Sequence, residues 1–115
     1  MKQRQVGQIT VLTPRGYLTG GEETDELERT IKSVSESGNK QLLINLGETQ
    51  HLNSTALGVL ISAHTNYVKR GGQMKLCSVD KRIENIFVIT KLSLVFDVYP
   101  NEEQAIASFA EKESV

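Results

Sequence analysis

The sequence contains few cysteines, prolines and aromatic residues, and it contains no tryptophan. Its 115 residues include one cysteine and two prolines, and aromatic residues make up 5% of the chain. A single cysteine excludes an internal disulfide and suits a reducing compartment. Few rings are present on which nucleic-acid bases could stack. The two histidines and the cysteine are widely separated, so their spacing predicts no metal site, and we expect no cofactor.

Charge and hydropathy argue against two further classes of protein. The 13 Lys and Arg residues nearly balance the 14 Asp and Glu residues, so no basic patch indicates direct contact with nucleic acid. No apolar run approaches the roughly 20 residues of a membrane span. The N-terminal "MKQRQVGQ" lacks the apolar stretch of a signal peptide. We therefore expect a cytoplasmic protein without membrane insertion, built as a single domain over residues 1–115.

Alternating helix and strand patterns predict an α/β fold. The segment "QVGQITVLT" predicts one or two short strands that end at a turn over residues 14–16. Further strands are predicted at "KQLLINL", "QMKLCSV" and "SLVFDVY", and helices at "EETDELERTIKSVSES", from Ser54 onward, at "DKRIENIFVIT" and at "NEEQAIASFAEKE". Such alternation predicts largely parallel strands, to which the N-terminal hairpin adds an antiparallel strand.

Local patterns also predict which residues are buried and where helices begin. The consecutive apolar residues of "KQLLINL" predict a central strand that is covered on both faces. Asp80 and Asn101 are predicted to cap the last two helices, and Cys77 is predicted to be a small buried hydrophobe. The helix from Ser54 is predicted to align five residues along one side: Leu57, Leu60, Ile61, His64 and Val68.

The stretch "HLNSTALGV" places two hydroxyl residues at a strand-to-helix junction. Asn53, Ser54 and Thr55 are all typical of a helix N-terminus, and a cap alone contributes about 1 kcal/mol without any function. Alternatively, the helix N-terminus could hold a phosphate, or a phosphoserine there could alter binding by adding about −1.5 to −2 charges. These three residues alone favour the plain cap over the phosphate site.

No catalytic constellation can be assembled from the sequence. His51 lies close to Ser54, but the Gly-x-Ser-x-Gly elbow of a serine hydrolase is missing, and no third catalytic residue is evident. The segment "GYLTGG" lacks the lysine of a phosphate-binding loop. The sequence therefore predicts no catalytic residue and a protein that is not an enzyme.

The stretch "LLINLGETQHLNSTALGVLISAHTNYVKRGGQMKLCSV" resembles the STAS domain, in particular that of bacterial anti-sigma-factor antagonists. Its central motif is similar to the family's Asp-Ser-Ser/Thr-Gly-Leu-Gly and spans Asn53 to Gly58. The segment "RGYLTGGEETDEL" resembles the family's Gly-x-Leu-Asp opening. The resemblance implies a single STAS-like domain with a four- or five-stranded mixed sheet and about four helices, mainly on one face.

The resemblance also implies a mechanism of regulation. The unphosphorylated antagonist would bind an anti-sigma factor that is itself a serine kinase, and phosphorylation of Ser54 would release it until a phosphatase resets the site. Thr55 is the second choice of acceptor. The implied partner-binding residues are Thr19, Gly20, Gly21, Asn53, Ser54, Thr55, Ala56, Leu57 and Gly58.

Three departures from the family pattern keep a second function open. Asn53 and Thr19 replace two family aspartates, and Ala56 replaces a glycine. Loss of the two acids could alter recognition by a kinase or remove phosphorylation altogether. The alternative is a non-catalytic STAS adaptor subunit of an ABC lipid-transport complex or a stress-signalling assembly. Ser54 and Thr55 would then serve as capping and interface residues.

Overall fold

The computed structural model describes residues 1–113, and within them the chain forms two sheets and four α-helices. The strands are β1 (Lys2–Val6), β2 (Ile9–Thr13), β3 (Gly16–Leu18), β4 (Gln41–Asn45), β5 (Thr49–Leu52), β6 (Gln73–Cys77) and β7 (Asp97–Tyr99). The helices are α1 (Glu22–Glu36), α2 (Ser54–Lys69), α3 (Lys81–Ile89) and α4 (Glu102–Glu113), with a short 3-10 helix at Leu92–Leu94. The last two residues of the predicted domain, 114 and 115, lie outside the described range.

The main sheet is mixed, as the sequence predicts. Its strand order is β1-β2-β4-β6-β7, with β1 antiparallel to β2 and all other neighbours parallel. The antiparallel pair is a hairpin that turns at Gly7 and Gln8. Parallel neighbours need crossover connections, and α1, α2 and α3 provide them for β2–β4, β4–β6 and β6–β7. The α/β class and the five-stranded mixed sheet are therefore confirmed.

Strand β4 is buried on both faces of the sheet. Leu42 and Ile44 contribute to a core shared with α1, α2 and α3, whereas Leu43 packs with Ala105 and Phe109 of α4 on the opposite face. Three helices thus cover one face and one helix covers the other, which confirms the prediction that the helices lie mainly on one face. Burial on both sides requires apolar residues in succession, and this is the pattern that the sequence shows at β4.

The buried stripe of helix α2 overlaps the predicted one only in part. Its buried residues are Ala56, Leu57, Leu60, Ala63 and Tyr67, so Leu57 and Leu60 lie on the buried face as predicted. Ile61 and Val68 are instead 37% and 55% exposed, and His64 is half-buried, so the alignment of these three with the buried face is wrong. The buried stripe is rotated about the helix axis toward Ala63 and Tyr67.

The predicted helix caps and the buried cysteine are confirmed. The Asp80 carboxylate accepts a hydrogen bond from the Ile83 amide at 3.0 Å, and the Asn101 side chain accepts one from the Gln104 amide at 2.9 Å. Cys77 is fully buried in β6, and this burial raises the pKa of its thiol. Across residues 1–113, no helix combines the length and hydrophobicity needed to cross a bilayer.

Lys75 in β6 is a buried cation with neutral surroundings. Only 1% of the residue is exposed, and its Nζ donates to the Ser108 hydroxyl at 2.8 Å. The ammonium lies 4.8 Å from the Phe109 ring centroid and 5.3 Å from that of Tyr99. No carboxylate forms an ion pair with it within the described part of the chain. The ammonium also donates to the Tyr99 hydroxyl at 3.5 Å. Cation–π contacts and two hydroxyls therefore compensate the loss of water around the charge.

We expect Lys75→Met to raise the free energy of unfolding by on the order of 1 kcal/mol, because the methionine keeps the contacts with both rings without burying a charge. Ser108 would retain its donated bond to the Ala105 carbonyl oxygen. Urea unfolding followed by circular dichroism measures the change, with the exposed Lys69→Met as the control. A marked loss of stability in Lys75→Met alone would show that the ammonium is a net stabilising group.

Glu102 connects the start of α4 to two strands of the sheet. Its carboxylate accepts hydrogen bonds from the Arg4 guanidinium and from Asn45 Nδ2, the latter at 2.8 Å. The Arg4 bond is the main reason that the pKa of Glu102 lies below its ordinary value. A lowered pKa means that folding stabilises the ionised carboxylate of Glu102 relative to its protonated form.

We therefore expect Glu102→Gln to destabilise the protein at neutral pH and to matter less in acid. The contribution of Glu102 is complete above the carboxyl's unfolded pKa and is lost as the pH falls through its lower folded pKa. Denaturant unfolding of wild type and variant across that range tests this. The exposed neighbour Glu103 supplies the control, since Glu103→Gln should change stability little at any pH. A wild-type–variant difference that stays constant with pH would contradict the assignment.

Candidate functional site

A small second sheet sets up the candidate site. Strands β3 and β5 pair in parallel, and Leu18 is paired with Leu52 at their carboxyl ends. No strand is predicted between "KQLLINL" and Ser54, but residues 49–52 form β5, in which only Thr49 and Leu52 are buried. Four residues with two buried side chains give no strand periodicity, so sequence pattern alone could not identify this pair. Because β3 and β5 are paired, the loops that follow them leave the sheet side by side.

Asn53 caps α2 and also joins these two loops. Its Oδ1 accepts a hydrogen bond from the Ala56 amide at 3.1 Å, which satisfies a donor in the first helical turn. Its Nδ2 donates to the Thr19 carbonyl oxygen at 2.9 Å, and its backbone amide donates to the Leu18 carbonyl oxygen at 3.1 Å. An aspartate could replace the first bond but has no donor for the second. The amide at position 53 therefore has its own structural role here.

Ser54 and Thr55 occupy the first turn of α2, and both are exposed. Because Asn53 is the cap, neither hydroxyl is needed to cap the helix. The first amides of a helix have no helical acceptor, and they add a partial positive charge to this end of α2. No acidic side chain lies in this first turn. An anionic group attached here would therefore meet favourable helix electrostatics.

The loop at residues 19–21 lies against the start of α2. Gly20 has a φ of +93° and donates its amide to Thr24 Oγ1 at 2.9 Å. A Cβ at Gly20 would lie 3.5 Å from Cβ and Cγ2 of Thr55, so the loop at residue 20 faces the Thr55 side chain. Thr19, Gly20 and Gly21 are all exposed. The structure thus places the two predicted halves of the partner-binding surface next to each other.

The remaining predicted partner-binding residues differ in their exposure. Gly58 is exposed, and nothing lies within 4 Å of where its Cβ would be, so the outer side of the first turns is open. Ala56 and Leu57 are only 0% and 7% exposed. Their side chains pack into the core and hold the first turn of α2 against it. A partner could not contact them in this conformation.

No catalytic arrangement is formed around Ser54. His51 is exposed on β5, where it is paired in register with Tyr17, and it makes no hydrogen bond to Ser54. Over residues 1–113, no group of three or more His, Cys, Asp or Glu side chains could hold a metal ion. The sequence did not single out Thr24, whose hydroxyl fixes Gly20. Its only local signal is a threonine in the acidic first turn of α1.

Substitutions at Asn53 separate its capping role from its role between the loops. We expect Asn53→Ala to lower the free energy of unfolding by about 1–2 kcal/mol, since both side-chain bonds are lost. Asn53→Asp should cost less, because it keeps the cap, but it should increase amide hydrogen exchange at residues 19–21.

Thr19→Ala is the matched control for this test. The bond uses the Thr19 carbonyl oxygen and not its side chain, so the variant should retain wild-type exchange. Denaturant unfolding and hydrogen-exchange mass spectrometry provide the two measurements. Equal protection of the loop in Asn53→Asp and wild type would contradict the role assigned to Nδ2.

Comparison with known proteins supports the resemblance to the STAS domain. Residues 1–105 match the STAS domain family. The anti-sigma-B factor antagonist of Bacillus subtilis is 29% identical over 80 residues, which cover 70% of this chain and 72% of that protein. These matches confirm the resemblance seen in the Asn53–Gly58 motif.

Two solved structures share the fold. A Thermotoga maritima protein proposed as an anti-sigma factor antagonist aligns with a TM-score of 0.87 and 18% identity, covering 93% of this chain and 92% of that one. The phosphorylated form of the Bacillus cell fate determinant SpoIIAA aligns with a TM-score of 0.75 and 15% identity, covering 94% and 97%. The family match and the common fold together show that this chain belongs to the STAS domain family.

Proposed function

We propose that the protein is an anti-sigma-factor antagonist that works by partner switching, with Ser54 as the phosphorylated residue. The observation that carries the proposal is the division of roles at the start of α2. Asn53 caps the helix, so the exposed Ser54 hydroxyl has no capping role to fulfil. The relative from Bacillus subtilis, named an anti-sigma-B factor antagonist, supports the general role.

Ser54 is a better acceptor candidate than Thr55 because it matches the first hydroxyl residue of the family motif. A kinase must bring the hydroxyl into line with the phosphate of its nucleotide. Both side chains are exposed, but Ser54 lacks the additional methyl group of Thr55, so its hydroxyl reaches that geometry with less steric hindrance.

The physical basis of the switch is a change of charge on a docking surface. Without phosphate, the surface formed by residues 19–21, Ser54 and Gly58 carries no charged side chain, so a partner can cover it at low desolvation cost. Phosphorylation would add about −1.5 to −2 charges at pH 7. Covering such a charge without a new cationic partner is strongly unfavourable. The exposed acids Glu22 and Glu23 at the start of α1 would add to the repulsion.

The proposal defines the partners and the setting. The partner would be an anti-sigma factor with serine kinase activity, and a phosphatase would restore the unmodified form. The protein itself would be a cytoplasmic, non-catalytic regulator without a cofactor. In the alternative, an adaptor subunit of a lipid transporter or a stress-signalling assembly, the same surface would be a permanent interface and Ser54 would stay unmodified.

The first experiment is to isolate the protein with its partners from its native cells and to map phosphate by intact-mass and peptide mass spectrometry. We expect one phosphate, on Ser54, and a serine kinase that co-purifies with the unmodified form only. An unmodified protein held in a transporter or a large assembly would contradict the switch and favour the adaptor.

Variants then test the residue assignment with the isolated kinase. Ser54→Ala should abolish phosphate transfer and keep binding, and Thr55→Ala, as the matched control, should still be phosphorylated on Ser54. Ser54→Asp should weaken binding by about tenfold, equivalent to about 1.4 kcal/mol. Stoichiometric phosphorylation of Ser54→Ala at Thr55 would show that the acceptor is assigned to the wrong residue.

A further inference from the structure

A second exposed surface of the protein is apolar. Five aliphatic residues near the end of α3 and the start of β7, which we call the α3 patch, are exposed: Val88, Ile89, Leu94, Val95 and Val98. Ile89 and Leu94 stand out, with 80% and 84% of their surfaces accessible. The remaining three are between 38% and 57% exposed. Scattered single hydrophobes need no explanation, but a group of this kind marks an interaction surface.

The α3 patch is a fixed part of the fold. The neighbouring side chains of Phe87 and Phe96 are buried in the core, and their rings lie 5.8 Å apart. The backbone between them is closed by hydrogen bonds from the Lys91 amide to the Val88 carbonyl oxygen, at 3.1 Å, and from the Val95 amide to the Leu92 carbonyl oxygen, at 2.9 Å. The turn that buries the two rings therefore also directs the aliphatic side chains outward.

Two residues of the patch, one from each element, share a cleft. Val88 of α3 and Val98 of β7 line the same cleft, whose floor includes Phe87 and Phe96. Strand β7 is an edge of the main sheet, so no further strand covers this side. The patch lies where α3 returns to the start of β7, whereas Ser54 lies at the carboxyl end of β5. The two exposed surfaces are therefore formed by different elements of the fold.

The size of the patch suits a second copy of the same chain. Its exposed aliphatic surface is on the order of 500 Å² per copy, which is at the upper end for the largest patch on a monomer. Two copies meeting face to face would bury about 1,000 Å² in total, the level at which specific interfaces begin. Two-fold dimers are the commonest oligomers, and they bring identical patches together.

The charges at the rim also favour self-association. Lys91 and Asp97 flank the patch, Glu84 lines the cleft beside Val88, and all three are exposed. None of them forms an ion pair within residues 1–113. One cation and two anions around the patch give no bias toward a strongly acidic or strongly basic partner. Under a two-fold axis, however, Lys91 of one copy can lie opposite Asp97 of the other, which makes the rim complementary to itself.

We infer that the α3 patch is the contact surface of a two-fold homodimer. Each copy would keep its Ser54 surface, formed by residues 19–21, Ser54 and Gly58, exposed. This inference does not depend on the proposed switch, since it concerns other residues and a different partner. A dimer of this form would present two separate docking surfaces for the anti-sigma factor.

Sedimentation equilibrium of the full chain, from about 1 to 200 µM, tests the inference, because this range brackets a micromolar dissociation constant. We expect wild type to shift from monomer to dimer and Leu94→Asp to dissociate at least tenfold more readily. Leu94 is 84% exposed, so its replacement should leave the fold intact, which circular dichroism and thermal unfolding verify. The matched control is Val68→Asp, an exposed valine on α2 outside the patch, which should dimerise like wild type.

A charge exchange tests the two-fold arrangement. Lys91→Asp and Asp97→Lys should each weaken the dimer, and the double variant should restore it, because the opposite charges would again face each other. A wild-type protein that stays monomeric at the highest concentration would overturn the inference. Equal loss of the dimer in Val68→Asp, or attachment of a monomer to anionic lipid vesicles through Leu94, would overturn it as well.

Discussion

The burial of β4 on both faces is the constraint on which the rest of the structure depends. A sheet flanked by α1, α2 and α3 on one side only would leave Leu43 and the neighbouring apolar residues in water. Helix α4 must therefore cross to the opposite face, where it provides Ala105 and Phe109. Contacts at that face follow from this placement, including the neutral surroundings of Lys75 and the bonds that join Glu102 to the sheet.

The candidate site depends on a second, smaller constraint. The pairing of β3 with β5 aligns the loops that leave them, and Asn53 holds both loops with one side chain. This arrangement resolves the ambiguity of the hydroxyl pair at the junction. Capping belongs to Asn53, so Ser54 is left as an exposed group on an uncharged surface. A residue that differs from the family's usual aspartate thus adds a bond between the loops.

Predictions from the sequence succeeded where the deciding interactions are local. The apolar run of β4, the caps at Asp80 and Asn101, and the contiguous Asn53–Gly58 motif are all encoded within a few neighbouring residues. The face of α2 was predicted correctly at Leu57 and Leu60 but wrongly at Ile61 and Val68, because only the packing of Ala63 and Tyr67 against other elements decides how far the buried stripe is rotated.

Other parts of the fold and site could not be read from sequence for a physical reason. Strand β5 has too few buried side chains to show a period, and its pairing with β3 joins residues more than 30 positions apart. The bond from Asn53 reaches a backbone carbonyl oxygen of the distant Thr19, and such an acceptor leaves no pattern of side chains. The exposure of Leu94 is likewise set by the turn that buries Phe96, which the spacing of apolar residues does not reveal.

The distance between the Ser54 surface and the α3 patch has a consequence for how a dimer would respond to increasing kinase activity. The two surfaces share no loop, and different helices, α2 and α3, carry them. Phosphorylation of one copy would then leave the acceptor of the other copy unchanged, because coupling between sites requires an element with two arrangements that both sites influence. The response of such a dimer would be graded, with a Hill coefficient near one, and it would follow the fraction of modified chains.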